Sequence, residues 1–135
     1  MKKVILATLF AGVFASTAAT AETYICEITR VAKGAWIPRS LAISRDEKTG
    51  RILVNDDLII RYKSKPIEGA VSVENDKRIT LTWILPSIKN DVGQSTLRFN
   101  FRATYLKRTG KVVVTSQPAG YSNTFTGRGQ CKVED

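Results

Sequence analysis

The sequence predicts a small all-β, single-domain protein, an antiparallel β-barrel of about seven or eight strands. Three observations support this prediction. Apolar and polar residues alternate with period two along much of the chain, which is typical of strands with one buried face. Turn-forming residues separate these runs at intervals of about ten residues. Two cysteines lie near the two ends of the predicted domain. A β-sandwich is the alternative, and the hairpin-like strand order favours the barrel.

The N-terminus has the three parts of a secretory signal peptide. The chain opens with the positively charged Met1-Lys2-Lys3 and continues with an apolar run from Val4 to about Ala15. Ala19-Thr20-Ala21 then matches an A-x-A cleavage site. The apolar run is shorter than the ~20 residues that a membrane-spanning helix needs. We therefore expect residues 1–21 to be removed on export, with the periplasm as the destination and full secretion as the alternative.

Removal of residues 1–21 from the 135-residue chain would leave a single domain of 114 residues, 22–135. The removed segment contains two of the 21 lysines and arginines and none of the 12 acidic residues, so the domain keeps 19 basic residues and a net charge of +7. A basic exported domain favours an anionic partner, which we expect to be a glycan, a lipid or an envelope protein. Solubility alone is the alternative explanation. The mature chain has no apolar stretch long enough to form a transmembrane helix.

The strands are predicted in chain order from the alternation and from the turns between them. In the run that begins at Leu97, for example, Phe99 and Phe101 share one face while Asn100 and Arg102 share the other. We expect strands at Tyr24–Thr29, Leu41–Ser44, Arg51–Val54, Leu58–Lys63, Arg78–Leu85, Leu97–Tyr105, Lys111–Thr115 and Tyr121–Val133. A short helical turn is considered at Pro66–Ala70, and no segment has the period of an amphipathic helix.

The two cysteines predict a disulfide that joins the first strand to the last. Cys26 and Cys131 both lie on the apolar side of their predicted strands, and an oxidising compartment favours a bridge between them. In an up-and-down barrel these two strands are neighbours, so the bridge would close the seam. Gly127 and Gly129 have the inward parity of the last strand, which suits a sharply curved closing strand.

Several classes of chemistry are disfavoured by composition. The chain has no histidine, which excludes histidine bases and histidine metal ligands, and bridged cysteines would exclude thiol chemistry. From these absences we expect no cofactor and no metal site. No glycine-rich phosphate loop is present, so we expect no nucleotide either. Asp56 and Asp57 are adjacent, so we expect them to cap backbone amides in a turn and not to act as a catalytic pair. A hydrolase built from distant carboxylates, such as Glu27 with Glu68, is the least favoured alternative.

The candidate binding residues are basic side chains on outward positions, together with one loop tryptophan. Trp36 lies in a segment that contains Gly34, Pro38 and Arg39, where an aromatic beside cations is suited to recognition. Two interpretations of Trp36 stay open, a binding residue and a plug over one end of the barrel, and the plug is favoured. The alternative for the basic residues is a solvated face. The full set of candidates is Trp36, Arg39, Arg61, Arg98, Arg102 and Arg128.

From these features we expect a non-enzymatic, exported binding module for an anionic or small hydrophobic ligand of the cell envelope. It would use either the mouth of the barrel or the basic outer face. A protein inhibitor of an enzyme is the alternative, since small disulfide-bonded β domains are suited to that role.

Overall fold

The computed structural model describes residues 21–87, 92–95 and 97–134. The predicted signal peptide therefore lies almost entirely outside the described residues. The described residues form eight strands and one short helix. The strands are β1 (Ala21–Val31), β2 (Ser40–Asp46), β3 (Ile52–Asp56), β4 (Ile67–Glu74), β5 (Arg78–Leu85), β6 (Phe99–Leu106), β7 (Lys111–Pro118) and β8 (Phe125–Glu134), and the helix is α1 (Asp57–Lys63).

The strands form one closed antiparallel barrel. Each strand pairs with the next in sequence, and β8 pairs with β1 to close the circle. This confirms the predicted barrel over the β-sandwich. Because the order is up-and-down, alternate connections lie at opposite ends of the barrel. No helix among the described residues is long and apolar enough to cross a membrane.

The seam between β1 and β8 is closed by the predicted disulfide. Cys26 and Cys131 are directly opposite each other in the β1–β8 ladder and are bonded, with a sequence separation of 105 residues. The ladder is irregular next to the bridge, because Ile28 pairs with Gly129 and Arg30 with Arg128, which leaves Thr29 unpaired. A Cβ atom at residue 129 would collide with the carbonyl oxygen of Glu27, so only glycine permits this close approach. A Cβ atom at residue 127 would meet the side chains of Ile28 and Ile37, so Gly127 has the inward position predicted for it.

Side chains fill the interior of the barrel. The predicted inward faces of β5 and β6 are confirmed, with Trp83 stacked on Phe101 at a centroid distance of 5.4 Å. Two predicted strand ends are corrected, because Leu97 precedes β6 and Tyr121 precedes β8, and both are exposed. The buried apolar side chains on the strands are Tyr24, Cys26, Ile28, Leu41, Ile43, Ile52, Val54, Ile79, Leu81, Trp83, Leu85, Phe99, Phe101, Ala103, Val112 and Val114.

The fourth predicted strand is wrong. Residues 58–63 belong to helix α1, in which Ile59 is fully buried and Ile60 is exposed. Asp56 caps the helix, and Ser64 ends it with a left-handed backbone conformation (φ 62°). The true fourth strand, β4, begins at Ile67, so the helical turn considered at Pro66–Ala70 is also wrong. A run of six residues can satisfy both a strand period and one helical turn, which is why alternation alone did not separate the two.

The two ends of the barrel differ in construction. One end, the turn end, has the tight connections β2–β3, β4–β5 and β6–β7 together with the start of β1 and the end of β8. The other end, the loop end, has the longer connections and α1. Its described residues are 32–39, 57–66, 86–87, 92–95, 97–98 and 119–124.

Candidate functional site

Four of the six candidate binding residues lie together at the loop end. Trp36 and Arg39 belong to the β1–β2 connection, Arg61 lies on α1, and Arg98 precedes β6. The backbone N–H of Ala119, in the β7–β8 connection, donates a 2.7 Å hydrogen bond to the carbonyl of Arg98. The topology therefore brings together residues that are far apart in sequence.

Trp36 closes the loop end. Its ring stacks on Phe99 with a centroid distance of 4.7 Å and on Tyr62 with a centroid distance of 6.1 Å. The hydroxyl of Ser116 donates a 2.6 Å hydrogen bond to the carbonyl of Trp36, and the next two residues, Ile37 and Pro38, are buried. The ring is half-buried, so this geometry agrees with the interpretation of Trp36 as part of a plug.

Asp57 fixes the position of the β1–β2 connection. Its Oδ1 accepts hydrogen bonds from the backbone N–H groups of Arg39 (3.0 Å) and Ser40 (3.3 Å). The neighbouring Asp56 accepts a 2.7 Å hydrogen bond from the backbone N–H of Ile59 and caps α1. Both carboxylates thus bind backbone amides, as expected from the sequence, and the Asp57 contact holds Arg39 beside α1.

The Asp56 carboxyl group is buried at the boundary between β3 and α1. Burial raises its pKa to about 6, while its hydrogen bond to Ile59 and the nearby charge of Asp57 act in opposite directions as smaller effects. Its Oδ2 has no hydrogen-bond partner among the described residues.

The loop end has a strong excess of positive charge. Its described residues include six exposed cations and one exposed carboxylate, that of Asp57, whose Oδ1 is already engaged by backbone amides. None of these cations forms an ion pair with a carboxylate of the described chain. The six are Lys33, Arg39, Arg61, Lys63, Lys65 and Arg98.

The turn end has a different charge pattern, in which acidic and basic side chains are paired. Glu74 accepts from Arg45 at 2.8 Å and lies 3.7 Å from the amine of Lys107, and Arg51 of the β2–β3 turn pairs at 2.6 Å with Glu68 on the wall strand β4. The hydrogen bond from Arg45 lowers the pKa of Glu74. The positive field of the protein is therefore concentrated at the loop end.

Arg102 and Arg128 lie apart from this cluster. Arg102 is on the outer wall between Thr82 and Thr115, in an open groove of about 730 Å³. Arg128 is on β8 beside Arg30, in a second open groove of about 1170 Å³. Both grooves are on the outside of the barrel. The structure thus joins four of the predicted residues and separates these two from them.

Sequence reasoning missed two contributions to the loop end, those of Lys65 and of α1. The sequence does contain a signal for the helix. Asp56 lies two residues before an apolar run that begins at Leu58, and aspartate is a common N-cap. Pro66, shortly after the last helical residue, is consistent with a helix end. Reading 58–63 as a strand instead put Arg61 and Lys63 on the wall of the barrel.

The described residues contain no cluster of three or more His, Cys, Asp or Glu side chains suited to a metal ion. What the loop end offers is a set of cations around an aromatic plug. No family model matches the chain, and no curated protein or solved structure is significantly similar to it.

Proposed function

We propose that this chain is an exported, non-enzymatic binding module whose loop end binds anionic groups. The observation that supports the proposal best is the charge of that end. Six exposed cations there have one exposed carboxylate among them, and none of the six is ion-paired within the described chain. Export is supported by the signal-like N-terminus and by the disulfide, since disulfides persist in oxidising compartments.

A structural role explains only part of this charge. Arg61 and Lys63 lie in the last turn of α1, where cations interact favourably with the helix dipole. Lys33, Arg39 and Arg98 are outside the helix, so the dipole gives no reason for them. A shared positive field that attracts an anion accounts for all of these residues together.

The filled interior supports an external site. The inward side chains of the strands pack against one another, and the Trp36 plug covers the loop end. Of the two places considered from the sequence, the mouth of the barrel and its outer surface, the surface of the loop end is the better supported.

The proposal is tested with a soluble polyanion, a heparin-derived hexasaccharide, titrated into the mature domain. Calorimetry gives the affinity, and backbone amide NMR shifts give the location. We expect shifts at 32–39, 57–66 and 97–98. The variant R39Q/R61Q/R98Q should bind about tenfold or more weakly at ~50 mM salt.

The matched control removes the same charge from the turn end, in the variant K48Q/K77Q/R108Q. We expect the control to bind within about twofold of the wild type, because only the loss of local charge should matter. Equal weakening of both variants would show that net charge alone causes binding, and would contradict the proposal. Absence of binding by the wild type would also contradict it.

A further inference from the structure

The loop end exposes apolar side chains among its cations. Ile60 is 60 %, Tyr121 57 % and Leu97 43 % exposed, and Val92 is exposed as well. The other large exposed apolar residues lie on the wall of the barrel: Ile25 and Leu106 line the groove that contains Arg128, and Ile84 and Val133 are on β5 and β8. The loop end is therefore both the most basic and the most apolar part of the described surface.

Helix α1 shows the same combination on a small scale. Ile59 is fully buried and Tyr62 stacks on Trp36, so these residues face the barrel. Ile60 and Lys63, which are also three residues apart, are both exposed and share the outward face. The outward face of α1 therefore presents an apolar side chain and a cation side by side, and a membrane interface accepts both kinds of group.

The combination of exposed cations and exposed apolar side chains indicates the chemistry of the partner. A dissolved anion would neutralise the cations and leave Ile60, Leu97 and Tyr121 in water. A bilayer with anionic lipids contacts both groups, because its phosphates attract Lys and Arg while its interface accepts aliphatic and tyrosine side chains. Exposed apolar residues clustered in this way mark interaction surfaces.

We infer that the loop end docks on the surface of an anionic lipid bilayer, with the cations at the headgroups and Ile60, Leu97 and Tyr121 inserted in the interface. This inference depends on the proposed anion-binding function and specifies its partner. Docking leaves the barrel outside the bilayer, and the plug stays in place.

The test is flotation of the disulfide-bonded mature domain with vesicles. One set is phosphatidylcholine alone, and the other contains about one third phosphatidylglycerol. We expect binding only to the anionic vesicles. The variant R61Q/K63Q/K65Q should lower the partition coefficient for the anionic vesicles on the order of 100-fold, because the loss of each cation should lower it about fivefold. I60S should lower it about tenfold, because it removes insertion but no charge.

Two controls match these variants at the turn end. K48Q/K77Q/R108Q removes equal charge, and L106S replaces an exposed apolar residue on β6. Both should bind vesicles as the wild type does. Equal effects of I60S and L106S, or equal binding to both vesicle types, would overturn the inference.

The hexasaccharide titration separates this inference from the proposed function. Hexasaccharide binding at the loop end without vesicle binding would leave the proposed function standing and refute the membrane partner, in favour of a soluble or protein-borne anion. If the domain bound neither the hexasaccharide nor the anionic vesicles, the proposed function itself would be refuted.

Discussion

The carboxyl group of Asp56 links two elements. One oxygen accepts a hydrogen bond from the first turn of α1, and the other is buried with no hydrogen-bond partner among the described residues. Replacement of a capping aspartate by alanine typically costs about 1 kcal/mol. Against this gain stands the cost of burying a charge, which explains why the pKa of Asp56 is raised to about 6. The hydrogen bond to the helix favours the ionised carboxyl group, but the cost of burial is larger, so the folded protein is favoured most when Asp56 is protonated.

This raised pKa predicts a pH dependence with a definite sign. A carboxyl group with a higher pKa in the folded protein stabilises the fold fully below its ordinary pKa, and the stabilisation is lost as the pH rises through the folded-state pKa. The free energy of unfolding should therefore fall by about 1–1.5 kcal/mol from Asp56 between pH 5 and pH 8. Urea unfolding at pH 5, 6 and 8 measures this, and the absence of histidine keeps the window clear of other side-chain titrations.

The variant D56N isolates the effect. Asparagine keeps an acceptor oxygen for the Ile59 amide but cannot ionise, so its free energy of unfolding should be nearly flat over the same range. D57N is the control, since Asp57 is exposed and its neutral form still accepts from the Arg39 amide. A wild type as flat as D56N, or a D57N protein as flat as D56N, would be inconsistent with a charge penalty at Asp56.

At the level of elements, the sequence predicts seven of the eight strands and mistakes α1 for the eighth. The strands that were found have strong apolar alternation, as in β5 and β6. The inward positions of β4 also alternate with exposed residues, and only Gly69, whose Cβ would lie 2.9 Å from the Thr82 carbonyl oxygen, interrupts the apolar series. The signal for β4 was therefore present, and it was missed because 58–63 had the place of the fourth strand. If residues 58–63 formed a strand, the connection that contains Lys65 would lie at the opposite end of the barrel. The charge cluster could therefore not be predicted, although three of its six cations, Arg39, Arg61 and Arg98, were named.

The end of α1 offers a test of this local structure. Ser64 has a left-handed backbone (φ 62°), a conformation that glycine adopts without the steric cost of a Cβ. S64G should raise the free energy of unfolding by about 0.5–1 kcal/mol, measured by urea unfolding. The control S44G, in the extended strand β2, should lower it by a similar amount. If S64G were as destabilising as S44G, the helix would not end at Ser64.

At the scale of the whole molecule, the seam that closes the barrel is a different region from the loop end, which we propose as the binding surface. The disulfide and the β1–β8 ladder hold the seam, while the cations of the loop end lie on α1 and on the connections that follow β1, α1 and β5. The seam thus lies along the wall, and the proposed binding surface lies at one end. Loss of the disulfide should consequently change stability more than it changes affinity for an anion.

Removal of the bridge in C26A/C131A tests this separation. In the chain-entropy account, a loop of about 100 residues contributes up to ~4.7 kcal/mol, so urea unfolding should show a loss of about 3–4 kcal/mol. Native-state hydrogen exchange should rise first in β1 and β8, because their shared ladder loses its covalent link while β5 and β6 keep neighbours on both sides. Below its unfolding transition, the variant should bind the hexasaccharide within about twofold of the wild type. A uniform rise in exchange over all strands would show that the seam has no local role and that the bridge acts only on the unfolded chain.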